Sequence, residues 1–197
     1  MEPILGQGRV VPFGHERRSR SAHDPKPNAS EYPAEAGAYI DRLPDDGRLL
    51  EHMAENLRAT TRLVVPLPEE RLLRPYAPGK WTIKEALVHV VDDERIYAYR
   101  ALRFARGDTT ELPGFEQDDY VPLSGANDRP VQEIMAEYAA VREATIALFR
   151  ALPQHALLRS GVANGNRASV RALGYHIAGH EAHHVHVIKE RYLGIPG

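Results

Sequence analysis

Cysteine is absent from this chain of 197 residues, and that absence restricts its chemistry. Disulfide bonds, thiolate metal sites and cysteine nucleophiles are excluded, so any metal ion must be bound by His, Asp, Glu or water. The sequence also lacks the roughly 18 to 20 consecutive apolar residues that span a bilayer, and its N-terminus has no apolar signal core. We therefore expect a cytoplasmic protein with no membrane partner.

The sequence also has no large excess of positive or negative charge. The 25 basic and 27 acidic residues leave a formal net charge of -2. Proteins that bind nucleic acid typically carry a large basic surplus, so we expect no nucleic-acid partner. The length and the 43% of apolar residues suit one domain with one packed core.

The pattern of apolar residues predicts helices over most of the chain. Residues 1–45 are rich in Pro, Gly, Arg and Ser without a sustained period, which predicts an irregular N-terminal extension. Apolar spacings of three and four then predict helices at about 46–64, 82–106, 131–152 and 169–193. Thr82 and Glu85 form a capping-box pattern at the start of the second helix. We predict an all-α four-helix bundle with long connections over residues 46–197, without a strand.

Six of the ten histidines lie at His89 and within residues 176–186. Each helical residue turns by about 100°, so His180 and His184 project about 40° apart and about 6 Å along the axis, which suits two ligands of one ion. A third ligand must come from another helix, and His89 belongs to the second helix. Asp92 and Asp93 follow one turn later, either as hydrogen-bond partners of the ligands or, with Glu94, as part of a charged helix face.

Glu181 lies near the middle of the apolar stripe of the fourth helix. An unpaired carboxylate is costly there, so Glu181 should be hydrogen-bonded, metal-bound or protonated. Residues 180–184 also spell H-E-x-x-H, the zinc protease pattern, with Glu181 as the base. The longer form of that pattern fails, because His186 and Glu190 occupy its glycine and third-histidine positions. A metallohydrolase of this type is an alternative.

Two segments of the chain resemble a known family. Residues 76–89 read YAPGKWTIKEALVH and residues 179–184 read GHEAHH. Both are similar to motifs of DinB-like proteins of the YfiT/DinB_2 group, and the likeness extends over residues 50–193. That family is a four-helix bundle that binds a metal, commonly nickel or zinc, through one histidine of the second helix and an H-x-x-x-H pair of the fourth. The resemblance implies that His89, His180 and His184 bind one divalent ion.

The resemblance also implies a class of reaction. Characterised members are bacillithiol or mycothiol S-transferases and a maleylpyruvate isomerase. We therefore expect a metal-activated low-molecular-weight thiol, or water, to attack a small electrophile, with Glu181 or an aspartate near His89 as the candidate proton acceptor. Family members often dimerise, which suggests a homodimer. The competing expectation is a non-catalytic metal-binding module of a stress response.

Overall fold

The computed structural model describes residues 25–196, and most of this range is helical. The helices, in chain order, are α1 (Gly37–Ile40), α2 (Leu49–Val64), α3 (Glu69–Leu72), α4 (Ile83–Ala105), α5 (Gln117–Tyr120), α6 (Val131–Ala151), α7 (Gln154–Leu157) and α8 (Val170–Val187). The strands are β1 (Ser160–Ala163) and β2 (Asn166–Ser169). Helices α2, α4, α6 and α8 form the bundle, so the predicted all-α four-helix bundle with long connections is confirmed.

The ends of α4 and α8 follow from local side-chain chemistry. Thr82 Oγ1 accepts a hydrogen bond from the Glu85 amide at 3.1 Å, and Glu85 Oε2 accepts one from the Thr82 amide at 2.7 Å. This pair is the predicted capping box. Ser169 caps α8 by accepting from the Ala172 amide at 3.1 Å. The α-helix ends at Val187, and the chain continues as a wider π-helix, Ile188–Leu193, instead of the regular helix predicted to residue 193.

Packing of α4 against α8 creates the environment of the candidate site. Helix α4 also contacts α6, and α2 contacts both α6 and α8. The buried apolar residues form two clusters. Along α4 and α8, Asp93, Glu94, His180 and Glu181 occur between the positions of the two clusters, whereas His89 and His176 lie among the positions of one cluster each. The polar site is therefore enclosed between two hydrophobic regions. Among residues 25–196, no helix is long and apolar enough to cross a membrane.

The hairpin corrects the expectation that the chain has no strand. Strands β1 and β2 pair in antiparallel fashion, with Ala163 opposite Asn166. Asn164 and Gly165 connect them with φ of 51° and 70°. Both residues of a type I′ turn need positive φ, and Asn-Gly is the preferred dipeptide for it. The signal was therefore present in the sequence, but the strands of four residues each are too short to show a clear alternation.

The N-terminal segment packs on the bundle from residue 25 onward. Ile40 of α1 is fully buried in the core, and Glu31 accepts a hydrogen bond from Ser169 Oγ at 2.8 Å. A Cβ on Gly179 would lie 2.2 Å from the carbonyl oxygen of Tyr39, so glycine is required for α1 to rest on α8. Short helical turns thus occupy part of the predicted irregular extension, 1–45, and the rest of that prediction lies outside the described residues.

Candidate metal centre

Three histidine side chains meet between α4 and α8. His89 comes from α4, while His180 and His184 lie one turn apart on α8. Nε2 of His180 is 3.2 Å from Nε2 of His89 and 3.1 Å from Nε2 of His184. The structure therefore brings together the three residues that were predicted as metal ligands.

The geometry of these nitrogens fits a shared cation. Nδ1 of His180 is 3.3 Å from a carboxylate oxygen of Asp93, and the nearby carboxylate favours the tautomer with the proton on Nδ1 and a lone pair on Nε2. Two nitrogens bound to one tetrahedral zinc at about 2.05 Å lie about 3.3 Å apart, close to the spacings seen here. The potential ligand atoms of all three residues lie within 4.8 Å of one another. The cluster therefore fits a divalent metal ion.

Burial keeps these imidazoles neutral. It lowers the pKa of His180 to about 3, because the charged ring would lose its hydration. The pKa of His89 and of His184 is lowered as well, again chiefly by burial. Neutral imidazole is the form that binds a metal ion, so the protein holds its candidate ligands ready at neutral pH.

Asp93 is buried beside the cluster and supports two histidines. Burial disfavours its ionised form, but the neighbouring His180 and His176 rings outweigh that effect and hold the pKa of Asp93 below its usual range. The same carboxylate oxygen is 3.3 Å from Nε2 of His176 and 3.3 Å from Nδ1 of His180. Asp93 and Glu94 are both buried, so the alternative of a charged, solvated helix face is wrong for them.

His176 lies next to the trio but does not belong to it. Its ring stacks on Tyr97 with centroids 3.8 Å apart and planes at 5°. Both of its ring nitrogens are buried without a well-aligned hydrogen bond, as is one oxygen of Asp93. Asp93, His176 and His180 form a second group of donor atoms within 4.8 Å. His176 therefore forms part of the polar wall beside the three histidines, one helical turn before His180.

A cavity of about 370 Å³ adjoins the three histidines. Helices α4 and α8, the N-terminal segment, the hairpin and the loop before α5 all contribute to its wall. Its aromatic lining is formed by Tyr32, Tyr39, Trp81, Tyr97, Phe104 and Phe115, and its polar lining includes Asp93, Arg100, Gln117, Asn164, Asn166, His176 and His183. The size and the mixed lining are typical of a small-molecule site.

Comparison with known proteins agrees with this architecture. The sequence model of the DinB superfamily matches residues 52–188, which include all three histidines. The chain belongs to the DinB superfamily. A curated relative from Oceanobacillus iheyensis, named "putative metal-dependent hydrolase", is 30% identical over 125 residues, covering 62% of this chain and 71% of the relative.

A solved structure shares the fold of this chain. YfiT from Bacillus subtilis, described as a probable metal-dependent hydrolase with an unusual four-helix bundle topology, is similar with a TM-score of 0.64 and 19% identity. The similarity covers 86% of this chain and 94% of YfiT. At this identity the comparison establishes the fold alone.

The position of Glu181 differs from that of the other predicted site residues of this DinB-superfamily chain. It does not line the cavity. Its Oε1 accepts a hydrogen bond from Thr60 at 2.9 Å, and its Oε2 pairs with Arg142 at 2.8 Å. Arg142 also binds Glu94, and all three charged side chains are 1% exposed. Glu181 is therefore hydrogen-bonded, as its burial required, and its position favours a structural role over that of a proton acceptor or protease base.

Several residues of the DinB-fold cavity were missed by sequence reasoning. Tyr39 comes from the N-terminal segment, and its ring meets the His180 ring edge-on at 5.2 Å. No local pattern connects residue 39 with α8. Arg100 could have been found, because it follows Tyr97 by three residues and precedes Phe104 by four, which places it on the same face of α4.

Proposed function

We propose that this protein is a metal-dependent enzyme that uses one divalent ion, zinc or nickel, held by His89, His180 and His184. The observation that supports this best is the convergence of three neutral ring nitrogens at the wall of a cavity of about 370 Å³. Three protein ligands are typical of catalytic zinc, since they leave a position for water or substrate. A bound divalent ion would supply the acidity that brings the pKa of a coordinated thiol or water toward neutrality.

The surrounding side chains orient the ligands and exclude water. The Asp93 carboxylate lies 3.3 Å from Nδ1 of His180, and a carboxylate beside that nitrogen favours the tautomer whose Nε2 binds a metal ion. The Trp81 ring packs against the cluster, 4.8 Å from the ring of His89 and 6.4 Å from that of His184. These contacts keep the three rings in one arrangement before any metal or substrate binds.

The first candidate nucleophile is a low-molecular-weight thiol of the bacillithiol or mycothiol type. The chain contains no cysteine, so a reacting sulfur must come from a cosubstrate. His183 lines the cavity, and burial lowers its pKa, so its neutral ring is able to accept the thiol proton. The sulfur would then form a bond to carbon of a small electrophile and displace the leaving group.

Water is the second candidate nucleophile, and the relatives favour it. The Oceanobacillus relative is named a "putative metal-dependent hydrolase", and YfiT is described as a "probable metal-dependent hydrolase". In this version His183 accepts a proton from water, and the bond that breaks is the one to the leaving group of a hydrolysable substrate. The two candidates use the same histidines and the same cavity, so they differ only in the molecule that attacks.

The metal site is tested by elemental analysis of purified variants. We expect wild-type protein to contain about one equivalent of zinc or nickel and His184→Ala to contain almost none. His186→Ala is the matched control on the same helix, because its side chain is 38% exposed and pairs with Glu190. Full metal content in His184→Ala would refute the ligand assignment.

The reaction is tested on the metal-loaded protein. Conjugation of several biological thiols to 1-chloro-2,4-dinitrobenzene and hydrolysis of p-nitrophenyl esters separate the two nucleophiles. Activity that disappears in His184→Ala and persists in His186→Ala would support the proposal and identify the attacking group. Stoichiometric metal without either reaction, over a broad panel of electrophiles, would favour the non-catalytic metal-binding module.

A further inference from the structure

Arg100 is a buried cation in the wall of the cavity. Its residue exposure is 6%, although an isolated charge is costly away from water. The guanidinium carbon lies 4.9 Å from the centre of the Tyr97 ring and 6.0 Å from that of Phe115. Both rings also line the cavity, so the guanidinium is held between two of its aromatic walls.

Arg100 has no carboxylate partner among residues 25–196. Its Nη2 donates to the carbonyl oxygen of Pro113 at 3.0 Å, and no described acid lies within ion-pair distance. Arg142, the other buried arginine, is paired with both Glu94 and Glu181. An arginine carries five N–H donors, and none of the Arg100 nitrogens is among the fully buried atoms that lack a partner. Tyr97 is also a hydrogen-bond partner of Arg100. Two uncharged partners do not use all five donors, and Arg100 lines the cavity, so its remaining donors can meet a ligand there.

The distance from Arg100 to the histidines suggests an elongated ligand. Arg100 follows His89 by eleven residues on α4, which corresponds to about 16 Å along the helix axis. Both side chains lean toward the N-terminus, so only the greater length of arginine shortens this gap, which stays on the order of 10 to 15 Å. His89, Asp93, Tyr97 and Arg100 all line the cavity, which therefore extends along this face of α4.

The single positive charge of Arg100 at this end of the cavity matches a ligand group with a single negative charge. Arg100 is the sole arginine or lysine among the described lining residues. A carboxylate carries one charge and two oxygens that match the planar guanidinium, whereas a phosphate monoester carries about 1.5 to 2 charges at pH 7. The amide side chains of Gln117, Asn164 and Asn166 line the same cavity and offer further N–H donors.

We infer that Arg100 is the carboxylate-binding residue of this cavity, so that the molecule reacting at the histidines carries a carboxylate at its far end. This inference rests on the proposed function, because it names the chemical class of the ligand for that site. The missing ion-pair partner of Arg100 is then supplied by the ligand, and the buried cation is neutralised when the ligand binds.

The inference is tested by calorimetric binding of octanoate and octanamide to metal-free protein. We expect wild-type protein to bind octanoate at least 10-fold more tightly than octanamide, and R100M to lose this preference. R100K, which keeps the charge but not the planar fork, should reduce the preference at least threefold, and it serves as the test if R100M does not fold. R106M removes an exposed arginine at the end of α4 and should retain the wild-type preference.

Equal binding of the acid and the amide by wild-type protein, or an undiminished preference in R100M and R100K, would overturn the assignment. Tighter binding of octyl phosphate than of octanoate would replace the carboxylate by a phosphate. Because the measurement needs neither metal nor turnover, its failure would leave the metal-dependent function standing. Loss of the metal site in turn would not alter the binding of octanoate.

Discussion

Replacing Glu181 by glutamine separates a structural role from a catalytic one. Glu181 and Glu94 share Arg142 in a buried network that also includes the Met53 carbonyl oxygen and the Tyr138 hydroxyl. Glutamine keeps the shape and one accepting oxygen but removes one charge. Arg142 retains Glu94, which binds its Nε and Nη2 at 2.8 to 3.1 Å. The substitution therefore leaves no buried charge without a partner.

The expected cost follows from the bond that is lost. A hydrogen bond to a charged group contributes about 1.5 to 3 kcal/mol, and breaking a buried pair outright costs about 3 to 5 kcal/mol. Since the pair with Glu94 remains, we expect E181Q to lower the free energy of unfolding by about 2 kcal/mol. In a protein of this size, that corresponds to a fall in Tm of about 4 to 8 °C by circular dichroism. Metal stoichiometry should be unchanged well below Tm.

Two further variants serve as controls for the stability of E181Q. E190Q makes the same substitution on the π-helix that continues α8, where the side chain is 44% exposed, and should change stability by less than about 0.5 kcal/mol. R142M leaves Glu94 and Glu181 buried without a cation and should be destabilised by more than about 3 kcal/mol. If E181Q unfolded at the wild-type temperature but lost its metal or its activity, the structural role would be refuted.

Two other predictions concern the surroundings of the site. D93N removes the charge beside Nδ1 of His180 and should weaken metal binding about 10- to 100-fold in a chelator competition, whereas D92N should have little effect; equal affinities would contradict this role. The hydrogen bond from Arg171 holds the pKa of Glu31 at about 2, against 4.5 normally. A lowered carboxylate pKa stabilises the fold above about pH 4.5 and loses that effect as the pH falls toward 2. With the side chain 18% exposed, we expect E31Q to cost about 1 to 2 kcal/mol at pH 7 by urea unfolding and almost nothing near pH 2; a difference independent of pH would refute it.

Local features of the fold were predictable because they depend on neighbours in sequence. The capping box at Thr82 and Glu85 involves residues three apart, and the structure contains both of its hydrogen bonds. The helices of the bundle follow the apolar period closely. The short hairpin was missed, although Asn164-Gly165 is a turn signal, because a helical pattern surrounds it and its strands are brief.

The sequence by itself determined the bundle and the pairing of His180 with His184, since residues four apart on a helix must share a face. His89 and His180 are 91 positions apart, so helical spacing could not predict their contact. The family resemblance implied it, and the packing of α4 on α8 brings the two rings together. Only the tertiary structure shows that Glu181 pairs with Arg142 and that Asp93 is buried between two histidines. The same is true of Arg100, which lies in the cavity wall without a carboxylate partner among the described residues. The reason is physical: a periodic pattern specifies which face of a helix is buried, but the side chains packed opposite that face depend on the whole fold.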